Sequence, residues 1–220
     1  MRNSATFQDL GVQVQRILER ESPMKRRLSS QRGFTLLETV LTIGIMMTLA
    51  AIAIMQSFGT SQSYSANSAM DTVVAQLRVA RQLAITQRTN VQVFFVSNGG
   101  TQQVQYQVLA QPNTNEANGP VVTTSFPSQT QFMLTGGVPD TPMNFGNSAA
   151  VYIGNVSGGP ATMEFTSTGQ FTDGTGFNTL NGTLFIGVPG AQATAARAVT
   201  IMGGTGRVRQ YSWTGKNWIE

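Results

Sequence analysis

The sequence has no cysteine and no histidine. Disulfides, thiol nucleophiles, Cys/His zinc sites and imidazole general bases are therefore excluded. The missing cysteine does not fix a redox compartment. Charge is scarce as well: 11% of residues are charged, against about 25% in an average soluble protein. Gly, Ser, Thr, Gln and Asn carry the polarity instead, which suits sheet surfaces and turns better than long solvated helices.

What charge there is lies unevenly. Residues 1–33 hold seven Lys/Arg and three Asp/Glu, a net of +4, whereas residues 34–220 hold seven of each and sum to zero. The basic character belongs to the leading segment alone.

That segment, "KRRLSSQRG", runs into 22 residues, Phe34 to Met55, whose only charge is Glu38. As a helix they would extend about 33 Å, enough for a hydrocarbon core of about 30 Å. Basic residues stand only on the N-terminal side, so the positive-inside rule keeps the N-terminus cytoplasmic and exports the remainder. A cleavable signal peptide would have a shorter apolar run and a small-x-small site after it. A plain membrane anchor leaves Glu38 unexplained, because a carboxylate near mid-membrane costs about 2.5–3.5 kcal/mol on insertion scales.

The junction "RGFTLLE" resembles the type IV prepilin signature, in which Gly, then Phe, then Glu four residues later head an apolar helix. The resemblance implies cleavage between Gly33 and Phe34 by a prepilin peptidase, and N-methylation of the new Phe34 amine. It also implies that Glu38 neutralises the Phe34 ammonium of a neighbouring subunit as helices bundle. The expected organisation is a prepilin leader at 1–33, a transmembrane and assembly helix at 34–58, and a periplasmic β-rich head at 59–220. A 33-residue leader is long for this pattern; Met24 would open a shorter one, "MKRRLSSQRG".

Beyond the apolar run, residues 56–66 read as a linker or a weak continuation of the helix. Ser68 to Asp71 reads as a capping box opening a second helical stretch. Met70, Val73, Val74, Leu77, Ala80 and Ala84 recur at helical spacing and predict one apolar face. Arg81 and Arg88 project onto that face and Arg78 onto its edge. Arg81 reads as a structural arginine that buries its stem and reaches a carboxylate or sheet carbonyls. A DNA-facing stripe is the sharper reading of the three.

From Asn90 the period switches to two. "VQVFFV", a turn at Asn98-Gly99-Gly100, and "QVQYQVL" predict a hairpin. A polar loop follows at 110–120. Further strands are expected at 121–124, 131–134, 149–153, 162–165, 180–186, 198–201 and 207–213. The fold class is α+β: a long N-terminal hydrophobic helix and a head of antiparallel sheets. Within the prepilin-like superfamily, "LRVARQLAITQRTNVQVFF", "MEFTSTGQF" and "RAVTIMGGTGRVRQYSW" resemble the GspH/FimT group of minor pseudopilins and minor pilins.

The segment "GGTGRVRQYSWTGKNW" has the best claim to binding. On a strand, Arg207, Arg209, Tyr211 and Trp213 share one face and Val208 takes the other. Cations beside aromatics suit phosphate contacts and base stacking. FimT-like minor pilins of competence systems carry a Gly-Arg-x-Arg motif that contributes to DNA binding, and Gly206, Arg207 and Arg209 match it, with Lys216 nearby. The bland reading makes the aromatics core and pairs the arginines with acids. Around Asp173, "GQFTDGTG" has too few acids for a calcium loop, and the glycine runs lack phosphate-loop spacing. No cofactor, metal or enzyme activity is expected. The expected partners are other pilins or pseudopilins, a prepilin peptidase, the bacterial inner membrane and, in the alternative reading, extracellular DNA. The expected role is a subunit near the tip of a type II secretion pseudopilus or a type IV pilus.

Overall fold

The computed structural model describes residues 34–98, 100–110 and 119–220, with backbone alone for 55–60. The leader at 1–33, with Gly33 of the expected cleavage site, and most of the loop at 110–120 lie outside the described residues. Two compact units divide between Leu49 and Ala50, and each is considered by itself.

One helix, α1, runs Leu36–Gln87. Its start has a local cause. Thr35 stands at the cap and accepts the Glu38 amide on its hydroxyl at 3.2 Å, and Glu38 lies in the first turn. Thr35-Leu-Leu-Glu38 is thus a cap followed by an acid three residues on, the spacing of a capping box. Of the linker and the continuation expected at 56–66, the continuation holds, and the capping box expected at Ser68 is corrected. The helix continues through Ser68, whose carbonyl accepts the Thr72 hydroxyl at 2.8 Å inside an unbroken turn. Residues 56–66 contain no proline to stop it. The helix ends at Gln87, and Arg88 follows with φ 53°, the left-handed position common just past a helix end.

In the N-terminal unit, every residue from Leu36 to Leu49 is exposed. Leu36–Ile54 is long and apolar enough to cross a membrane, and none of it is buried within the chain.

In the unit from Ala50 onward, two antiparallel sheets and the later part of α1 share one core. The first sheet has β1 (Val91–Asn98), β2 (Thr101–Val108), β3 (Val122–Ser125), β7 (Met163–Phe165) and β8 (Phe171–Asp173), in the order β3-β2-β1-β7-β8. The second has β4 (Gln131–Phe132), β5 (Val151–Ile153), β6 (Val156–Ser157), β9 (Gly182–Gly187), β10 (Arg197–Met202), β11 (Arg207–Trp213) and β12 (Trp218–Ile219). Its order is β12-β11-β10-β9-β5-β6, with β4 also pairing β9. The expected hairpin forms in register, Val91 opposite Val108 and Asn98 opposite Thr101. The strand expected at 207–213 forms over those residues. Strands β6, β8 and β12 were not foreseen: they hold two or three residues each, too few to show a period.

All six helix positions expected on the apolar face are buried in the main core, against Val91, Val93, Phe165, Phe171, Leu184, Ile201 and Val208. Full burial of each large aliphatic side chain contributes about 1.5–3 kcal/mol. A smaller cluster lies on the other face of the second sheet: Phe185, Ala198 and Tyr211, joined by Met143 and Trp218. The two faces follow strand parity, since Leu184 and Ile186 enter the main core while Phe185 between them enters the small one.

Candidate functional site

The strand parity expected for the "GRVRQYSW" stretch holds. Val208 packs in the main core and Tyr211 in the cluster on the opposite face. The consequence differs from a stacking platform. Tyr211 is 4% exposed and Trp213 7%, and Trp213 meets Trp218 edge-on at 5.4 Å between ring centres. Trp218 donates its indole N–H to the Pro139 carbonyl at 3.0 Å. Tyr211 and Trp213 are core and offer no open face for a base.

The three cations of the expected binding site do not act as one group. Arg209 is paired with Glu220 at 3.3 Å. Lys216 is exposed in the turn between β11 and β12, at the far end of the strand that Arg207 begins. At about 3.3 Å per residue, the seven residues of β11 alone set them roughly 20 Å apart. Arg207 is exposed and keeps different company.

That company is Arg78 and Arg81 of α1. The three arginines line a cleft of about 700 Å³, together with Gln82, Met202 and the Gly206 turn. Arg81 donates its Nε–H to the Gly169 carbonyl at 3.0 Å; of the carboxylate or sheet carbonyls expected for it, the partner is a carbonyl, in the turn between β7 and β8 rather than on a strand. Gly206 is what permits the approach. Its φ is +61°, and a Cβ there would collide with the Gly169 carbonyl and stand 2.8 Å from Arg81 Nε. Only glycine meets both demands without strain. No carboxylate lines the cleft. Among the described residues, the guanidiniums of Arg78 and Arg207 have no hydrogen-bond or ion-pair partner, and Arg209–Glu220 is the one ion pair. Arg88 lies past the helix end and is not among the lining residues.

Two buried charged residues escaped sequence reasoning. Glu164, at the centre of β7, is 0% exposed. One carboxylate oxygen accepts the Asn90 amide at 2.7 Å, while the other has no hydrogen-bond partner. Burial pushes its pKa above 4.5, opposed by the Asn90 hydrogen bond and reinforced by the Asp173 charge. The only sequence signal was its place between Met163 and Phe165, in a strand covered on both faces. Arg197, at the start of β10, is also buried. Its Nε–H donates to Asn67 of α1, and Nη1 donates to the Thr194 and Ala196 carbonyls, each at 2.8 Å. Burial pushes its pKa down.

Asp173 is satisfied within its own loop. It accepts from the Thr175 hydroxyl and amide and from the Asn178 side-chain amide at 2.7 Å. The Thr175 hydroxyl first, and then Asn178, hold its carboxyl below 3.8. Among the described residues no group of three or more acidic side chains gathers into a metal site.

No family model and no curated relative matches the chain. Solved structures similar to it include the minor pseudopilin EpsH of the type 2 secretion system of Vibrio cholerae. The identity is 15% and the TM-score 0.42, over 67% of this chain and 97% of that one. Another is the type IV minor pilin FimU of Pseudomonas aeruginosa, again at 15% identity, with a TM-score of 0.41 over 70% of this chain and 97% of that one. At such identities neither likeness carries over a site or an activity.

Proposed function

We propose that this chain is a minor pilin or pseudopilin, a membrane-anchored subunit of a type IV pilus or type II secretion pseudopilus. The observation that supports it is the division of α1. Leu36–Ile54 is predominantly apolar, with Glu38 its only charge, and unburied within the chain, while the same helix later becomes amphipathic and enters a core. A helix apolar on every side is a membrane segment or one surrounded by other helices. A filament subunit needs both environments in turn, lipid before assembly and neighbouring helices after it.

In this reading a prepilin peptidase cleaves Gly33–Phe34, the Phe34 amine is methylated, and the β-rich part stands in the periplasm. Glu38 has two tasks. Within the chain it occupies the first helical turn, where the exposed backbone N–H groups favour an anion. Between chains it pairs with the Phe34 ammonium of the next subunit, offsetting the cost of a carboxylate among apolar helices. The sheets act as structural and docking surfaces, and no catalytic role is assigned. The alternative of DNA capture through Arg207, Arg209 and Lys216 retains exposed Arg207 and Lys216 but lacks a stacking surface, because Tyr211 and Trp213 are buried.

The test is co-expression with a prepilin peptidase and a set of partner pilins, read by intact-mass analysis and by recovery in sheared filaments. The expected product begins at methylated Phe34. Glu38→Leu should still be cleaved and should fall at least tenfold in filament recovery. An uncleaved wild-type chain, or equal recovery of the variant, would overturn the reading.

A further inference from the structure

The cleft between the later part of α1 and the turn leading into β11 holds more positive charge than its surroundings explain. Residues 34–220 carry seven cations and seven acids, yet three of those cations, Arg78, Arg81 and Arg207, converge on one cleft with no acid in its lining. Like charges gathered in this way repel. Arginine cannot relieve the repulsion by losing a proton. Nor is the convergence a by-product of one helix face, since Arg207 arrives from a strand.

The cleft is also pre-arranged. Arg81 is fixed through Nε by the Gly169 carbonyl, which leaves its two terminal nitrogens free to turn toward a ligand. The absence of a side chain at Gly206 keeps that approach open. Met202 and Val208 add an apolar wall. The volume, about 700 Å³, lies within the range of small-molecule sites, about 300–1,000 Å³.

We propose that this cleft binds a dianionic phosphate group, a phosphate monoester or inorganic phosphate, held by Arg78, Arg81 and Arg207. Three guanidinium forks need more acceptors than the two oxygens of a carboxylate supply. An internal phosphodiester offers two free oxygens and one charge. A phosphate monoester offers three oxygens and nearly two charges at neutral pH. The apolar wall then receives the organic part of a monoester. The site does not depend on the filament reading, because the unprocessed chain contains all of it.

The experiment is titration calorimetry on the full chain in non-ionic detergent, with inorganic phosphate, phenyl phosphate and a single-stranded oligonucleotide lacking terminal phosphates. Inorganic phosphate and phenyl phosphate should bind saturably, phenyl phosphate the more tightly. Arg78→Gln and Arg207→Gln should each weaken binding about ten- to a hundredfold, the loss expected for charge-assisted hydrogen bonds. Arg209→Gln and Lys216→Gln should change nothing. Binding should tighten between about pH 5.5 and 7.5 as the ligand passes its second pKa near 6. Absence of saturable phosphate binding, equal affinity in all four variants, or binding of the oligonucleotide alone would overturn the proposal. The last outcome would mark the cleft as a phosphodiester contact.

Discussion

Two stretches of the same helix have opposite relations to the rest of the chain. From Leu36 to Leu49 every residue is exposed although nine of the fourteen are large apolar side chains. From Ala66 to Ala84 most apolar residues keep to one face, and that face is buried, with Val79 left exposed on the other side. The backbone is the same; the patterning differs. A continuous greasy cylinder cannot be satisfied by a single sheet, whereas a stripe recurring every three to four residues can. The comparison shows that helix continuity does not define a functional unit. The lateral distribution of apolar side chains does, and it changes without any break in hydrogen bonding.

The comparison can be broken most severely at Leu77, which is fully buried. Leu77→Ala should cost about 2–5 kcal/mol in denaturant unfolding of the β-rich part. The matched change Ile45→Ala, in the other stretch, should shift the same transition by less than about 0.5 kcal/mol. Equal losses would mean that the first stretch contributes to that core. A smaller effect is expected from the sheet side of the docked stretch. Gly206→Ala places a side chain at φ +61° against the Gly169 carbonyl. It should cost at least about 1–2 kcal/mol, the price of a left-handed non-glycine residue, and should displace Arg81 as well.

The mildest test uses pH. The Glu164 pKa is raised above 4.5 in the folded chain, so the folded state holds its proton more tightly than the unfolded one. Stability from this group is therefore complete below 4.5 and is lost as pH rises through the folded pKa. With no histidine in the chain, few other groups obscure that window. Melting should occur at lower temperature at pH 7 than at pH 5, and Glu164→Gln should flatten the difference while keeping an acceptor for Asn90. An unchanged pH slope in the variant would show that Glu164 is not its source.

The sequence revealed those elements whose signals repeat. Six buried helix positions followed from periodicity, and the hairpin from periodicity with its glycine turn, because each rests on several residues agreeing; the register of the hairpin was not read. The sequence leaves the continuity of α1 open between a linker and a continuation, since Ser68-Ala-Met-Asp71 satisfies a cap pattern equally well inside a helix as before one. The candidate site was half visible. Arg207 and the parity of β11 were readable, and so was a structural role for Arg81, though not its partner in the turn after β7. What brought Arg207 to Arg78 and Arg81 is the packing of a turn from one sheet against a distant helix, which leaves no local trace. The aromatics of β11 were ambiguous for a related reason. A strand pattern says which residues share a face, but whether that face is covered depends here on β12 and Met143.

Arg197 gives the contact between α1 and the second sheet a fixed setting. Apolar packing along a helix tolerates small slides and rotations, because one methyl group can replace another. A guanidinium that is buried and held by Asn67 and two carbonyls tolerates neither. A slip of one residue would carry Asn67 about 1.5 Å along the axis and 100° around it, stranding a charge in a dry interior. Arg197 therefore works as an alignment pin: it adds little to how strongly the helix is held and much to where it stops.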